Sequence, residues 1–313
     1  MTGMPTMRPL PLFAFPARTP TANDAERMAK VLESTGDYRV LRRMRPLSLP
    51  ASSPQPTKRG IFVDVETTGL DPKADSIIEL AMLPFEYSIK GDILAVGESF
   101  NSLRDPGIPI PAKVTELTGI TDAMVAGTAI DAEQVATFAD GAALIISHNA
   151  GFDRPFCERQ WPIFASKAWA CSLIEIDWTA EGFEGKKLSQ IAAGFGFFFD
   201  AHRAVDDCQA GVDILSRRLP RSDRTALAAL LESARTPRWR LWAEGAPYAL
   251  REKLKSRGYR WNPGEDGELR AWHLDVVESA VDEELQYLRS EIYGRDDIDL
   301  PRRQFTAFDR YKS

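Results

Sequence analysis

Two carboxylates stand two residues apart in IFVDVE, at Asp64 and Glu66. On a strand, that spacing sends both side chains out of one face. Carboxylates held together repel unless a cation lies between them, and the segment is otherwise apolar. The pair is costly as decoration, although Asp-x-Glu alone is a common pattern. A third carboxylate, Asp153, falls in HNAGFDRPF, in the first turn of an expected helix. The helix dipole by itself would account for an acid there. A fourth, Asp207, follows His202 in AHRAVDDCQAGVDIL with four residues between them. The histidine belongs on the loop before a helix and the acid one turn inside it, which an ordinary helix start would also produce. Oxygen ligands of this kind favour Mg²⁺ or Mn²⁺ over zinc. An imidazole with a reference pKa of about 6.5 can take a proton from water at physiological pH. The chain has three histidines, and two of them, His148 and His202, lie in these segments. His148 and Asn149 read as braces of their turn, and His273, in AWHLD, as structural.

The elements that must hold these groups can be read around them. IFVDVE is a buried strand ended by the turn TTGLDP. SIIELAMLPFEYSI and ILAVGESF are a second and third strand, separated by Lys90-Gly91-Asp92, a hairpin signal. A short helix ending at Gly119 and another over Ala132 to Ala139 lead to the apolar strand ALIISH. GFDRPFCERQW then starts a helix with Pro155 in its first turn. AWACSL is a fifth strand, KKLSQIAAGFG a helix closed by glycine, and RAVDDCQAGVDILSRRL a long amphipathic helix. Three antiparallel strands followed by strands alternating with helices give an α/β fold, a ribonuclease H-like mixed five-stranded sheet flanked by helices.

That domain spans residues 58–220, with a connecting helix over 221–235. Residues 1–57 form a proline-rich, partly mobile leader with one short helix, Asp24 to Ser34. Residues 236–313 form a small α+β C-terminal module, with a helix (PYALREKLKSRG), a hairpin around GEDGE, a second helix (VESAVDEELQYLRSEIYG) and a polar tail. Between Arg251 and Arg260 the module carries five basic residues and one acid, beside Trp261 and near Trp242, Tyr259 and Trp272. Such a mixture can grip a single strand by charge and stacking, but tryptophan fills cores far more often than it forms platforms.

The 313 residues carry a net charge of −6, which argues against a protein that coats nucleic acid. The charge is uneven: +6 over residues 1–59, −11 over 60–235 and −1 over 236–313. An acidic middle suits a site that gathers divalent cations, and basic flanks suit a phosphate backbone. No window approaches the roughly 18 uninterrupted apolar residues of a membrane span. Cys157, Cys171 and Cys208 form no CxxC pair, so a reducing cytoplasm is the expected compartment.

Singly weak, the chemical segments are specific in this order and at these separations. VDVETTGLDP, IIELAML, LTGITDAMV, HNAGFDRPF and HRAVDDC, over about residues 60–215, resemble the DEDDh 3′→5′ exonuclease superfamily. The resemblance implies two divalent ions and removal of nucleoside monophosphates from a 3′ end. It implies Asp64, Glu66, Asp153 and Asp207 as metal-binding carboxylates and His202 as general base, with Asp207 chosen over its neighbour Asp206. It also implies a pocket for the 3′-terminal nucleotide, with Thr67, Thr68 and Gly69 on one wall and Leu117, Thr118 and Ile120 on the other. Without it, those six are ordinary turn and core residues. Two metals about 4 Å apart can orient water and stabilise the leaving oxygen. DNA, in replication or repair, is favoured over RNA as substrate. RNA 3′-end trimming and an inactive nuclease-fold binding protein are the alternatives. The leader segment Pro9-Leu10-Pro11-Leu12-Phe13 resembles peptides that dock on the bacterial sliding clamp, which makes the clamp or a polymerase a candidate partner.

Overall fold

The computed structural model describes residues 21–54, 56–264 and 267–312. The clamp-like segment at 9–13 lies outside them. The chain divides into two compact units, Met1–Arg42 and Arg43–Ser313. In the first, helix α1 (Ala22–Ser34) starts on a capping box, where Thr21 and Asp24 satisfy each other's backbone N–H groups. Arg42 pairs with Glu26 and Glu33 of this helix at 3.0 and 2.9 Å.

The second unit is built on a mixed sheet. Its strands are β1 (Lys58–Thr67), β2 (Ile77–Tyr87), β3 (Ile93–Val96), β4 (Phe100–Leu103), β5 (Leu144–Ser147) and β6 (Trp169–Cys171). The order is β3-β2-β1-β5-β6, with β4 also pairing β2. β2 runs antiparallel to β1, β3 and β4, whereas β1–β5 and β5–β6 are parallel. This is the mixed α/β, ribonuclease H-like architecture expected from the sequence, with six strands among the described residues rather than five. The difference lies in ILAVGESF. Val96 pairs with Phe85 and Phe100 with Met82, so three residues face two and the expected third strand breaks in two. The N–H of Gly97 bonds the carbonyl of Pro84 at this irregularity, where a Cβ would lie 3.0 Å from the proline ring.

Helices pack on both faces: α2 (Ala112–Thr118), α3 (Ala132–Ala139), α4 (Ala150–Gln160), α5 (Leu188–Gly194), α6 (Ala204–Ser216) and α7 (Ala226–Arg235). β1 alternates between two cores. Ile61, Val63 and Val65 join Phe156 and Trp161 of the α4 side. Phe62 instead joins Ala210, Val212 and Ile214 of α6. Asp64 and Glu66 therefore leave the strand on the face that α6 covers.

The C-terminal residues form a four-stranded antiparallel sheet from β7 (Arg238–Ala243), β8 (Arg260–Trp261), β9 (Trp272–Val277) and β10 (Arg302–Phe305), in the order β8-β9-β7-β10. The hairpin around GEDGE is its β8–β9 pair. β7 and β10, drawn from a connector and a tail, escaped the sequence reading because they pair across about sixty residues. Helices α8 (Arg251–Ser256) and α9 (Val281–Tyr287) supply the rest of this module's core, around Leu241, Leu254, Leu285 and Leu288. Among the described residues no helix is long and apolar enough to cross a membrane. All three cysteines are buried and free.

Candidate active site

Gly211 sets the depth at which α6 lies on the sheet. A Cβ there would fall 2.2 Å from the buried Phe62 ring. One turn towards the helix start, the Cys208 thiol donates to the carbonyl of Phe62 at 3.5 Å, fixing the same contact. Asp207 therefore projects towards Asp64 and Glu66 from the helix seated on their face. Carboxylate oxygens of these three residues lie within 4.8 Å of one another. Three negative groups at that separation, two on a strand and one on a helix, make a ligand set for a hard cation.

The electrostatics match this geometry. Burial, with added repulsion from Asp207 and Glu79, pushes the Glu66 carboxyl up to about 8. Burial raises Asp207 to about 7, against the opposing pull of the His202 and Arg203 backbone N–H groups. Asp64 is raised well above the carboxylate range, by burial first and then by Asp153, Asp207 and Glu66. Without a cation the cluster holds protons that a divalent ion would displace.

Asp153 stands outside the trio but next to it, since its charge is the strongest carboxylate influence on Asp64. It is 2% exposed on α4, and its Oδ1 accepts the Val65 N–H at 3.2 Å. The parallel β1–β5 ladder ends at Phe62, leaving β1 open along that edge. Asp153 takes up one backbone group there, and the Ser147 hydroxyl takes another by donating to the carbonyl of Val63 at 2.8 Å. α4 starts at Asn149, which holds the left-handed conformation at φ 99° that asparagine tolerates.

His148 braces the next loop. Its Nε2 faces the carbonyl of Lys186 at 2.8 Å, and its Nδ1 the Ser172 hydroxyl at 2.9 Å. A carbonyl only accepts, so Nε2 carries the proton and the neutral ring accepts at Nδ1. Burial lowers this histidine to about 4. His202 differs: it is exposed, on the loop before α6, at a left-handed φ of 69°. Its backbone N–H donates to Asp207 Oδ2 at 2.8 Å, tying the loop to the cluster.

One functional neighbour went unread in the sequence. Glu79 sits opposite Glu66 in the β1–β2 register and is 0% exposed. It accepts from Arg203 and the Ala204 N–H, both at 3.2 Å, and from Asn101 at 3.1 Å. It thereby clamps the residues that follow His202. The signal was a lone glutamate inside the apolar run IIELAML.

The six pocket residues divide. Thr67 and Thr68 are buried; Thr68 Oγ1 donates to Asp75 at 3.1 Å and accepts the Ser76 N–H at 3.0 Å. Gly69 packs so close to Asp75 that a Cβ would lie 2.4 Å from its carboxylate. Leu117 is 55% exposed. Thr118 and Ile120 turn inward: Thr118 donates to the carbonyl of Val114 at 2.9 Å, and Ile120 packs with Ile78, Ile110 and Val125.

The family model RNase_T, described as exonuclease, matches residues 61–215. A DNA polymerase III subunit epsilon from Aquifex aeolicus is 30% identical over 166 residues, 51% of this chain and 79% of that protein. An epsilon-like protein from Rhodobacter capsulatus is 40% identical over 170 residues, and a PolC-type DNA polymerase III from Clostridium perfringens 32% over 167. The match spans only 23% and 11% of the length of these last two proteins. Among solved structures, an E. coli ExoI–ssDNA complex aligns over 75% of this chain and 71% of its own, at a TM-score of 0.49 and 14% identity. Exonuclease X with 5′ overhanging duplex DNA aligns over 54% and 99%, at a TM-score of 0.39 and 20% identity. With its family match over residues 61–215 and 79% of an epsilon subunit aligned at 30% identity, the chain belongs to the DEDDh exonuclease superfamily.

Proposed function

We propose that the protein is a metal-dependent 3′→5′ exonuclease that shortens DNA from its 3′ end. The observation that carries this reading is the convergence of Asp64, Glu66 and Asp207 within 4.8 Å, flanked by Asp153. An all-carboxylate donor set, with acids held partly protonated, suits Mg²⁺ or Mn²⁺, two ions in this reading, with these four residues as ligands. Bound there, the metal would supply positive charge to orient water and relieve the phosphate.

The chain's own groups do the rest. Among its three histidines, His148 has both ring nitrogens engaged and His273 lies in the C-terminal sheet. The exposed His202 is left to take the proton of the attacking water at a ring nitrogen. Asp207 holds the His202 backbone, and Glu79 holds Arg203 and Ala204, so the base stands on a loop fixed from both sides. In this reading Thr67, Thr68 and Gly69 offer a rigid floor to the terminal nucleotide, and Leu117 an exposed apolar edge held by Thr118 and Ile120. Its relatives' names also make a polymerase the implied protein partner.

The test is purified protein with Mg²⁺ or Mn²⁺ on 3′-labelled single-stranded DNA, duplex DNA and RNA. Mononucleotide release from DNA supports the reading. Release from RNA alone replaces it with RNA trimming, and no release from any strand ends it.

A further inference from the structure

Of the basic run at 251–260, little charge is left to offer a ligand. Lys253 pairs with Glu291, Lys255 and Arg251 with Glu252, and Arg257 with the buried Glu284. The module presents Arg260, the last residue of that run, together with arginines from other strands. Arg240 lies opposite Asp275 on β9 and Arg303 on β10, Arg238 opposite Phe305, and Arg260 opposite His273, itself paired with Trp242. Alternate residues share a face, so Arg238, Arg240, Arg260 and Arg303 leave the sheet on one side. Trp239, Leu241, Leu274 and Val276 leave on the other and pack into the module's core.

The arginine face walls a cleft of about 820 Å³. Its lining also takes in Asn149 and Gly151, exposed at the start of α4, the helix that carries Asp153. Six basic and four acidic side chains line it, a positive balance in a chain whose net charge is −6. Asp275 holds Arg240 by two bonds, of 2.7 and 3.0 Å, fixing the plane of its guanidinium. Arg238 and Arg260 have no carboxylate within 4.0 Å among the described residues. Arginine forks fit phosphate oxygens bidentately, and a row of them follows a phosphodiester chain.

We infer that this face binds the phosphodiester backbone of a single strand whose 3′ end lies at the carboxylate cluster. The inference rests on the exonuclease reading. Trp242 and Phe305 on this face are buried, so neither offers the bases a platform. Grip is by charge, indifferent to sequence and steep in salt.

The experiment uses the full chain in EDTA, so that strands are bound but not cut. Fluorescein-labelled oligothymidylate and oligouridylate of about 15 nucleotides are titrated by anisotropy at several salt concentrations. The double variant Arg238→Gln/Arg260→Gln is expected to bind about tenfold more weakly. Its salt slope should fall by about 1.4, or roughly 0.7 per lost phosphate contact. Arg238→Lys/Arg260→Lys, which keeps the charge, should keep the slope, and Lys253→Gln/Lys255→Gln should match the wild type. An unchanged slope in the glutamine variant, an equal loss in the lysine-run variant, or no strand bound by the wild type overturns the inference. Adding Mg²⁺ to the wild type separates the two readings: cleavage with an unaltered slope leaves the exonuclease standing without this groove. Altered binding with no cleavage does the reverse.

Discussion

The guanidinium of Arg154, wholly buried on α4 one residue beyond Asp153, donates to the backbone carbonyl of Arg310 at 2.5 Å. It also reaches the carbonyl of Phe308 at 2.8 Å and pairs with Glu158 at 2.6 Å. Arg310 in turn pairs with the buried Glu175 at 3.0 Å. The segment 306–312 is thus a strap along the β6 edge of the nuclease sheet, where the Trp169 N–H donates to the Ala307 carbonyl at 2.8 Å, and it satisfies a charge behind the candidate site. Removing 306–313 would take the carbonyl acceptors of Phe308 and Arg310 from Arg154 and the ion-pair partner from Glu175. Losing one partner of a buried ion pair costs about 3–5 kcal/mol. Urea unfolding of the shortened chain should show a loss of that size. A midpoint within experimental error of the full chain's would show that the strap is idle.

Stability without metal should fall as pH rises. Glu66 and Asp207 titrate at about 8 and about 7 in the folded protein, against roughly 4 for unfolded acids. Between those values the unfolded chain has released protons that the folded chain still holds. The cluster therefore favours folding most below about pH 4, and that contribution is lost as pH rises to about 8. In EDTA, melting temperature should drop from about pH 5 to 8, and Asp64→Asn/Glu66→Gln should flatten the drop. Mg²⁺ should restore most of it at the upper end, by binding the deprotonated cluster. A wild type and double variant with parallel profiles would count against a coupled cluster.

For His202 the informative substitution is asparagine. Its backbone N–H holds Asp207 from a left-handed conformation, which asparagine adopts more readily than alanine. His202→Asn removes the base and spares the loop. Turnover should fall by about two to four orders of magnitude, while Mg²⁺ still raises the melting temperature as in the wild type. Turnover within about threefold of the wild type would take the base role away from this residue.

The site was easier to read than its supports. Asp64 and Glu66 are marked by two-residue spacing in an apolar strand, a local signal, whereas Asp207 was set apart from Asp206 by the family resemblance. Glu79 hid because a single acid in IIELAML breaks an apolar run without announcing partners 124 and 125 residues away. β7 and β10 hid for a related reason. RWRLWA and RRQF alternate weakly on their own, and only pairing with distant segments, β7 with β9 and β10, makes them strands. The basic run at 251–260 was conspicuous in sequence, yet all of its charges except Arg260 are answered by Glu252, Glu284 and Glu291. Composition shows which charges exist, whereas the fold decides which remain free.

Gly211 offers the sharpest test of how the cluster is assembled. Glycine inside a helix ordinarily costs about 1 kcal/mol relative to alanine, so Gly211→Ala would stabilise an isolated helix. Here the added methyl would fall 2.2 Å from Phe62, whose ring is fully buried and cannot swing aside. Overpacking of this kind costs about 1–3 kcal/mol and moves the backbone that carries it. Asp207 lies one helical turn from Gly211, so the shift should reach the carboxylate trio as well as the core. The expected result is a lower melting temperature and a weaker response to Mg²⁺ in the same variant. Phe62→Leu should relieve both when combined with Gly211→Ala, although alone it costs stability by leaving a cavity. If Gly211→Ala instead proved as stable as the wild type, with an unchanged Mg²⁺ response, the depth at which α6 lies on the sheet would not be what brings Asp207 to Asp64 and Glu66.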